Sequence, residues 1–198
     1  CRHPFLVTGR HLAQAFRRLG SRVSVVEMQT ILAREDPDLA DAVRRRLIGE
    51  GVRLFEGARA ERAESSSAGI ALALQDANGE KTRVEGSHLL LAVGRSPNLA
   101  GLDLDRANIA TEPRGIRVDA CLRTGNSRVY AIGDVAGGPQ FTHVANFHAG
   151  IVIRNILFRW PARADRAPIP RVTYTDPELA QVGLTEAEAR ARHPDFRI

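Results

Sequence analysis

The first part of the chain alternates short apolar runs with stretches in which apolar residues recur every three or four positions. Short runs are typical of buried strands, and the wider spacing is typical of one buried helix face. Strands and helices that alternate with short connections favour a parallel sheet with right-handed crossovers. The pattern predicts strands at residues 5–8, through Val23, Val25 and Val26, and at residues 52–55. A helix between the first two strands runs through Leu12, Phe16 and Leu19 and stops at Gly20. A second helix, at residues 38–50, has Leu39, Val43 and Leu47 on its buried face.

After Gly57 the pattern changes to shorter segments with stronger alternation. The Asn78-Gly79 pair between two of them is typical of a hairpin turn. We therefore expect a three-stranded antiparallel insert, laid against the parallel sheet, at residues 59–63, 69–75 and 81–85. The continuous apolar run at residues 87–93 then predicts a strand that is buried on both faces.

The second half of the chain begins with the aperiodic stretch RSPNLAGLDLD, which indicates a domain boundary. Prolines at 161, 168 and 170 indicate a second linker. The last segment reads as strand, Thr-Asp-Pro turn, strand and a helix that Thr185 and Glu188 cap. Between the two linkers we expect short strands at residues 116–118 and 129–132 and a helix at residues 142–158.

Composition and charge narrow the class of protein. The chain has 198 residues, of which 43% are hydrophobic, and a formal net charge of +5. The arginines are interspersed with acids, and the densest cluster, Arg44 to Arg46, reads as a solvated helix face, so we expect no nucleic-acid partner. The longest apolar run, residues 89–93, is too short to cross a bilayer, and no leader opens the sequence. We therefore expect a cytoplasmic protein without a membrane partner.

The cysteines and histidines do not form a recognisable metal or redox motif. Cys1 and Cys121 are far apart in the sequence, without CxxC or CxxxxC spacing. His143 and His148 lack the glutamate that accompanies a zinc-hydrolase histidine pair. We expect neither a metal site nor a catalytic residue within this chain.

Candidate binding residues stand where the predicted strands end, because ligands of open parallel sheets lie beyond the carboxyl ends of the strands. Gly9, Glu27 and Gly94 occupy such positions. An acid after the second strand can accept both hydrogen bonds of an adenosine ribose and repels a 2′-phosphate, so Glu27 favours NAD over NADP. The alternative is that Glu27 only ends a strand. Asp134, in IGDVAGG, either accepts from a sugar hydroxyl or caps a helix.

Four stretches then carry a resemblance to a known family. They read LAQAFRRLGSRVSVVE, LLLAVGRSPN, VYAIGDVAGGPQFTHVA and PRVTYTDPELAQVGLTEAEA. In order and in residue identity they closely resemble the class I pyridine nucleotide-disulfide oxidoreductases, the family of dihydrolipoamide dehydrogenase and mercuric reductase. The resemblance implies an α/β protein with a Rossmann-like NAD(P)-binding domain at residues 1–95, part of an FAD-binding domain at residues 96–168, and the start of an α+β dimerisation domain at residues 169–198.

The resemblance also implies roles for single residues, with FAD and NAD, or NADP, as cofactors. Glu27 matches the acid that holds the adenosine ribose, and Gly94 matches a glycine that lies against the dinucleotide. Ala60 matches a position that touches adenine. Asp134 resembles the aspartate that binds the FAD ribityl chain. Backbone that approaches the flavin ring is matched by Gln140, Phe141, Thr142 and His143. The full-length protein is implied to be a homodimer.

The chain also departs from the family pattern. It holds no CxxxxC redox pair, no glycine-rich FAD loop and no His–Glu acid–base pair; His193-Pro194 reads as a helix-ending loop. The favoured interpretation is a fragment of an FAD-dependent enzyme that passes electrons from NAD(P)H through flavin to a disulfide or a thiol-bound acceptor. The alternative is a non-catalytic truncated remnant that keeps only the nucleotide-domain fold and a dimer surface.

The stretch VTGRHLAQAF is the sharpest departure. It keeps the first glycine of a G-x-G-x-x-G loop but lacks about five residues that would hold the others. His11 stands where the family usually has a glutamate near the nicotinamide. Two alternatives stay open: the loop is truly deleted, which would weaken NAD binding, or it exists in the molecule but not in this sequence.

Overall fold

A computed structural model describes residues 4–7, 9–67, 69–165, 168–193 and 195. The chain divides into two compact units. Unit 1 comprises Cys1–Val93 and Pro170–Ile198, and unit 2 comprises Gly94–Ile169. The C-terminal segment therefore belongs to the same unit as the N-terminal sheet.

Unit 1 contains a four-stranded sheet and a three-stranded sheet. The four-stranded sheet has the order β3-β2-β1-β7 and is parallel throughout, as the alternation of strands and helices predicted. Its elements are β1 (Pro4–Val7), α1 (Arg10–Arg18), β2 (Arg22–Glu27), α2 (Pro37–Gly49), β3 (Arg53–Glu56), β4 (Ala58–Ser66), β5 (Gly69–Asp76), β6 (Lys81–Gly86) and β7 (His88–Leu90).

The main core of unit 1 lies between the parallel sheet and the helices. Its buried residues are Ala13, Val23, Val25, Ile31, Leu32, Val43, Leu47, Val52 and Leu179. The expectation that Leu39 faces this core is wrong, because its side chain is 45% exposed. In the first turn of α2 it is Ala40 that packs against the core, and Val43 and Leu47 continue that face at helical spacing.

The insert forms as predicted, with β4, β5 and β6 in antiparallel order. The turn between β5 and β6 is held by Asp76, whose Oδ1 accepts from the backbone N–H groups of Asn78 at 2.9 Å and Glu80 at 2.8 Å. Gly79 has a φ of +82°, a conformation that glycine adopts without strain. A second buried cluster joins the insert to the parallel sheet and contains Val26, Ala58, Leu72, Leu74 and Val84.

The expected long strand at residues 87–93 is shorter and more exposed than its apolar sequence predicts. β7 covers only His88–Leu90 and lies at the edge of the sheet, paired with β1. Among the described residues the last pair between these strands is Val7–Leu90. Leu91 and Val93, beyond the last pair, are 70% and 83% exposed.

Unit 2 contains the short hairpin β8 (Thr111–Glu112) and β9 (Gly115–Ile116), a 3₁₀ helix at Gly133–Ala136 and helix α3 at Thr142–Leu157. Helix α3 confirms the helix expected at residues 142–158. The strand expected at residues 129–132 is wrong for the described residues: only the isolated bridge between Arg123 and Tyr130 pairs this stretch. An extended segment becomes a strand only where a neighbouring strand supplies the hydrogen bonds.

The C-terminal segment of unit 1 forms a hairpin and a helix. These elements are β10 (Pro170–Thr173), β11 (Leu179–Val182) and α4 (Glu186–Arg192). Thr185 and Glu188 form the predicted capping box at the start of α4. Leu179 enters the main core, and Asp36 Oδ1 accepts from the backbone N–H of Glu186 at 2.8 Å.

Helix α1 is fastened to the hairpin turn by Gln14, which is only 4% exposed. Its Nε2 donates to the carbonyl oxygen of Asp176 at 2.8 Å, and its Oε1 accepts from the N–H of the same residue at 2.7 Å. Arg18, one turn further along α1, contacts the carboxylates of Glu50 and Asp176, each at 2.6 Å. The hydrogen bond from Arg18 holds the pKa of Glu50 below its usual value. We call Gln14, Arg18, Glu50 and Asp176 the hairpin anchor.

None of the helices within the described ranges is both long enough and apolar enough to span a bilayer.

The hairpin anchor predicts a specific loss of stability. Gln14→Leu should lower the free energy of unfolding by about 1–3 kcal/mol, because it leaves two backbone groups of Asp176 without their partner. The matched control is Gln29→Leu, since the Gln29 side chain is exposed. Urea denaturation of both variants checks the prediction, and equal losses in the two would contradict it.

Candidate functional site

Gly9 and Glu27 lie at the same edge of the parallel sheet. Val7, the last residue of β1, pairs with Val25 of β2, so Gly9 and Glu27 each lie two residues beyond this pair. The carboxyl ends of neighbouring parallel strands thus bring a glycine and an acid together, the arrangement that dinucleotide sites use.

Glu27 is half-buried at this edge. Its Oε1 accepts from the backbone N–H of Gln29 at 3.3 Å, a long hydrogen bond at the point where the chain leaves β2. The carboxylate is therefore oriented locally by the turn that follows the strand.

The connection from β1 to α1 consists of residues 8 and 9 alone. Gly9 is the N-cap residue of α1, and its carbonyl oxygen accepts from Ala13 N–H at 2.8 Å. Glycine has no side chain to cap the helix, and the first turn carries no acid. The helix N-terminus thus faces the sheet edge directly, without the longer loop that a G-x-G-x-x-G sequence would form.

Ala60 lies apart from that pair, in β4 of the insert. Its side chain is exposed, and the register between β4 and β5 shifts just after it, between Ala60 and Arg62. Ala58, two residues earlier, shares a buried cluster with Val26, the neighbour of Glu27. The cluster therefore anchors the insert next to the strand that carries Glu27, and Ala60 itself lies outside the cluster.

The remaining predicted residues lie in unit 2. Gly94 is exposed and has a φ of +117°. The next residue, Arg95, donates to the carbonyl oxygen of Gln140 at 2.8 Å. This contact places the start of unit 2 beside the stretch Gln140–His143. Arg95 was not among the residues chosen from the sequence, although it directly follows Gly94.

The stretch Gln140–His143 leads into helix α3. Phe141 is the N-cap residue, and its ring stacks on that of His143 with centroids 5.2 Å apart. A phenylalanine side chain has no hydrogen-bond acceptor, so the 16-residue helix begins without a side-chain cap. The backbone carbonyl oxygen of Phe141 accepts from Val144 N–H at 3.0 Å. The N-terminal end of the helix dipole favours a ligand that carries a negative charge.

Asp134 is half-buried and belongs to the 3₁₀ helix that follows Ile132. Ile132 occupies the N-cap position, so Asp134 is not the cap of this helix. Its carbonyl oxygen accepts from Gly137 N–H at 3.2 Å. Gly133, directly before it, has a φ of +68°, which favours glycine at this position.

The sequence did not single out His148 as a partner of this turn. It is 6% exposed on α3, and its Nδ1 accepts from the backbone N–H of Gly133 at 3.1 Å. Burial lowers the pKa of His148. The signal that could have found it is its spacing of three residues from Ala145, on the same face of α3.

No group of three or more histidine, cysteine or acidic side chains suited to a metal ion occurs within the described ranges. His143 stacks on Phe141, and His148 is hydrogen-bonded to Gly133. Cys121 is a free, half-buried thiol, whereas Cys1 lies outside the described residues.

Comparison with known proteins identifies the family. The sequence profile described as "Pyridine nucleotide-disulphide oxidoreductase" matches residues 7–149. The chain belongs to this family. The profile of the family's dimerisation domain matches residues 169–198. The resemblance carried by the sequence motifs is thereby confirmed.

Individual relatives agree with this assignment. The chain is 37% identical to a mercuric reductase of Bacillus cereus over 186 residues, covering 93% of this chain and 29% of the relative. It is 32% identical to a dihydrolipoyl dehydrogenase of Bacillus subtilis over 193 residues, covering 97% of this chain and 41% of the relative. This family member thus spans well under half the length of the curated relatives it matches.

A solved structure supports the α/β fold. The HOCl-induced flavoprotein disulfide reductase RclA from Escherichia coli superposes with a TM-score of 0.83 at 30% identity, covering 95% of this chain and 44% of that one. The Rossmann-like fold class expected from the sequence is confirmed.

The lowered pKa of His148 predicts acid sensitivity. Above its ordinary pKa of about 6.5, His148 is neutral in both folded and unfolded chains. As the pH falls, the unfolded chain takes up the proton first, so stability is lost between that value and the lowered pKa of the folded state. The free energy of unfolding, from urea curves between pH 7.5 and pH 5.5, should fall by at most about 1.4 kcal/mol per pH unit from this group.

His148→Asn provides the control for this measurement, since it removes the titrating group and leaves the other histidines in place. The difference between the wild-type and variant pH profiles isolates the contribution of His148. Parallel profiles would contradict the prediction.

Proposed function

We propose that this chain forms part of an FAD-dependent oxidoreductase that transfers electrons from NAD(P)H through flavin to a disulfide or a thiol-bound acceptor. The observation that carries the proposal is the edge of unit 1 where Glu27 and the N-terminus of α1 follow adjacent parallel strands. Relatives named mercuric reductase and dihydrolipoyl dehydrogenase support this class of reaction. The chain alone is incomplete for catalysis, because it holds no CxxxxC pair.

The adenosine end of NAD(P) is assigned to Glu27. A half-buried carboxylate at the tip of β2 can accept hydrogen bonds from both ribose hydroxyls. The same charge repels a 2′-phosphate, so NAD is the expected nucleotide rather than NADP. Ala60 is assigned to the adenine side and Gly94 to the dinucleotide, both on the strength of the family pattern.

The connection between β1 and α1 is less suited to the pyrophosphate of NAD(P) than Glu27 is to the ribose. The connection at residues 8 and 9 is too short to hold the further glycines of a G-x-G-x-x-G loop. Only the uncapped first turn of α1, after Gly9, remains to face a phosphate. We therefore propose that this chain binds NAD(H) weakly.

The flavin side is assigned to unit 2. When bound, the flavin would supply the hydride and electron transfer that no side chain can perform. Asp134 would accept from the ribityl hydroxyls, and the backbone of Gln140, Phe141, Thr142 and His143 would approach the ring. The N-terminus of α3, which begins without a side-chain cap, fits this role, because the positive end of a helix dipole favours negative charge beside it.

We retain the domain assignment of residues 1–95 as NAD(P)-binding, 96–168 as part of an FAD-binding domain and 169–198 as the start of a dimerisation domain. The match of the dimerisation-domain profile supports a homodimer for the full-length protein. A cytoplasmic location remains part of the proposal.

Nucleic acid is not a proposed partner. In the densest arginine cluster each side chain pairs with an acid: Arg44 with Glu56, Arg45 with Asp41 and Arg46 with Glu50. Guanidinium groups paired in this way are poor candidates for phosphate contacts.

A non-catalytic remnant is the second candidate, and the short connection at residues 8 and 9 favours it. Such a protein would keep the fold of unit 1 and the C-terminal segment without binding nucleotides. The two binding measurements below separate this candidate from the first.

The flavin assignment predicts that the chain quenches FAD fluorescence on titration. Asp134→Ala should weaken FAD binding by about 10- to 100-fold, because it removes a charged acceptor. The control is Asp105→Ala, an exposed aspartate of the same unit. Equal affinity in the Asp134 and Asp105 variants would contradict the assignment.

The nucleotide assignment predicts weak NADH binding, followed by nicotinamide fluorescence, with NADPH weaker still. Glu27→Gln should remove most of the preference for NADH, because the neutral amide no longer repels the 2′-phosphate. Glu80→Gln, in the exposed β5–β6 turn, is the matched control. A chain that binds neither FAD nor NADH would be the non-catalytic remnant.

A further inference from the structure

His148 is a buried titratable group to which the proposed function gives no role. It lies on α3, close to both proposed flavin segments. Gln140–His143 leads into the same helix, and the Gly133–Asp134 turn contacts His148 through the N–H of Gly133. A neutral histidine inside a protein usually has a hydrogen-bond partner, and here that partner is a backbone amide of the turn.

Two residues of α3 hold Gly133 from the same direction. Ala145 and His148 are three positions apart and share a face of the helix. A Cβ atom added to Gly133 would lie 3.0 Å from the Cβ of Ala145, so Gly133 is in close contact with α3. The N–H of Gly133 lies 3.1 Å from His148 Nδ1. Contact with Ala145 limits the distance, and the hydrogen bond sets the direction of the amide.

The hydrogen bond dictates the state of the imidazole. Nδ1 accepts only if it carries no proton, so His148 is neutral with its proton on Nε2. Burial favours the same neutral state. Glycine enters positive φ about as readily as negative φ, so the hydrogen bond to His148 favours the φ of +68° over the other conformations open to Gly133.

We propose that His148 is a positioning residue for the flavin site: by accepting the Gly133 amide at Nδ1, it fixes the turn that presents the Asp134 carboxylate to the ribityl chain. This inference rests on the proposed role of Asp134. It assigns to His148 no contact with flavin and no part in proton transfer.

Three substitutions separate a directed acceptor from simple packing. In His148→Asn the amide oxygen can stand near the place of Nδ1, whereas in His148→Gln it reaches toward the place of Nε2. His148→Leu fills space without an acceptor. His193→Leu, at the exposed end of α4, is the control for loss of a histidine elsewhere.

The experiment measures three quantities on the 198-residue chain. Nitrogen-15 NMR reports the protonation of His148 Nδ1, amide hydrogen exchange reports the protection of Gly133, and flavin fluorescence reports the affinity for FAD. We expect an unprotonated Nδ1 in the wild type. His148→Leu and His148→Gln should speed Gly133 exchange and weaken FAD binding by about tenfold each, the loss of one buried hydrogen bond. His148→Asn should restore both to within about threefold of wild type.

The outcomes separate this inference from the proposed function. A protonated Nδ1 in the wild type overturns the inference even if the variants fail to fold. Unchanged Gly133 exchange in His148→Leu, or equal losses in the Asn and Gln variants, also overturns it. Failure of the wild type to bind FAD, with the Gly133 effects present, contradicts the flavin assignment instead.

Discussion

The position of helix α1 depends on the side-chain amide of Gln14, which pairs with both backbone polar groups of Asp176 as another peptide group would. The turn thus satisfied lies between β10 and β11, and the same hairpin sends Leu179 into the main core. Because α1 begins directly after Gly9, any displacement of the helix would move the end that faces the sheet edge. The C-terminal hairpin is therefore a structural part of the unit that carries Glu27, although Gln14 and Asp176 are 162 residues apart in the sequence.

The same device recurs in unit 2, where one side-chain acceptor fixes one backbone turn. His148 Nδ1 accepts from the backbone N–H of Gly133, as Gln14 Oε1 accepts from the backbone N–H of Asp176. Both side chains are more than nine-tenths buried, so an unpaired donor or acceptor at either position would cost the full desolvation of a polar group. Candidate binding residues in this protein lie mainly on turns and helix ends. Next to Asp134, a buried polar contact between His148 and Gly133 adds to the apolar packing of the turn.

Apolar stretches did not predict strand bounds correctly where those bounds depend on a neighbouring strand. The run at residues 87–93 reads as a central strand, yet among the described residues it pairs with β1 only over His88–Leu90 and lies at the edge of the sheet. Residues 129–132 read as a strand, yet within the described part of the chain only Tyr130 finds a bridge partner. In α2, the periodicity could not separate Leu39 from Ala40 as the residue that begins the buried face. In each case the residues are apolar, as the pattern requires. Which of them pair or become buried depends on neighbours from other parts of the chain.

Local sequence patterns were sufficient to predict the order of strands and helices in the first part of the chain, the antiparallel insert, helix α3, the capping box at Thr185 and the family. These follow from periodicity, turn residues and short motifs, all of which act between residues close in the sequence. Three features could be recognised only from the folded chain: the C-terminal hairpin packs with the N-terminal sheet, Arg95 donates to Gln140, and His148 accepts from Gly133. Such contacts depend on distances between residues far apart in the sequence, which no local pattern encodes.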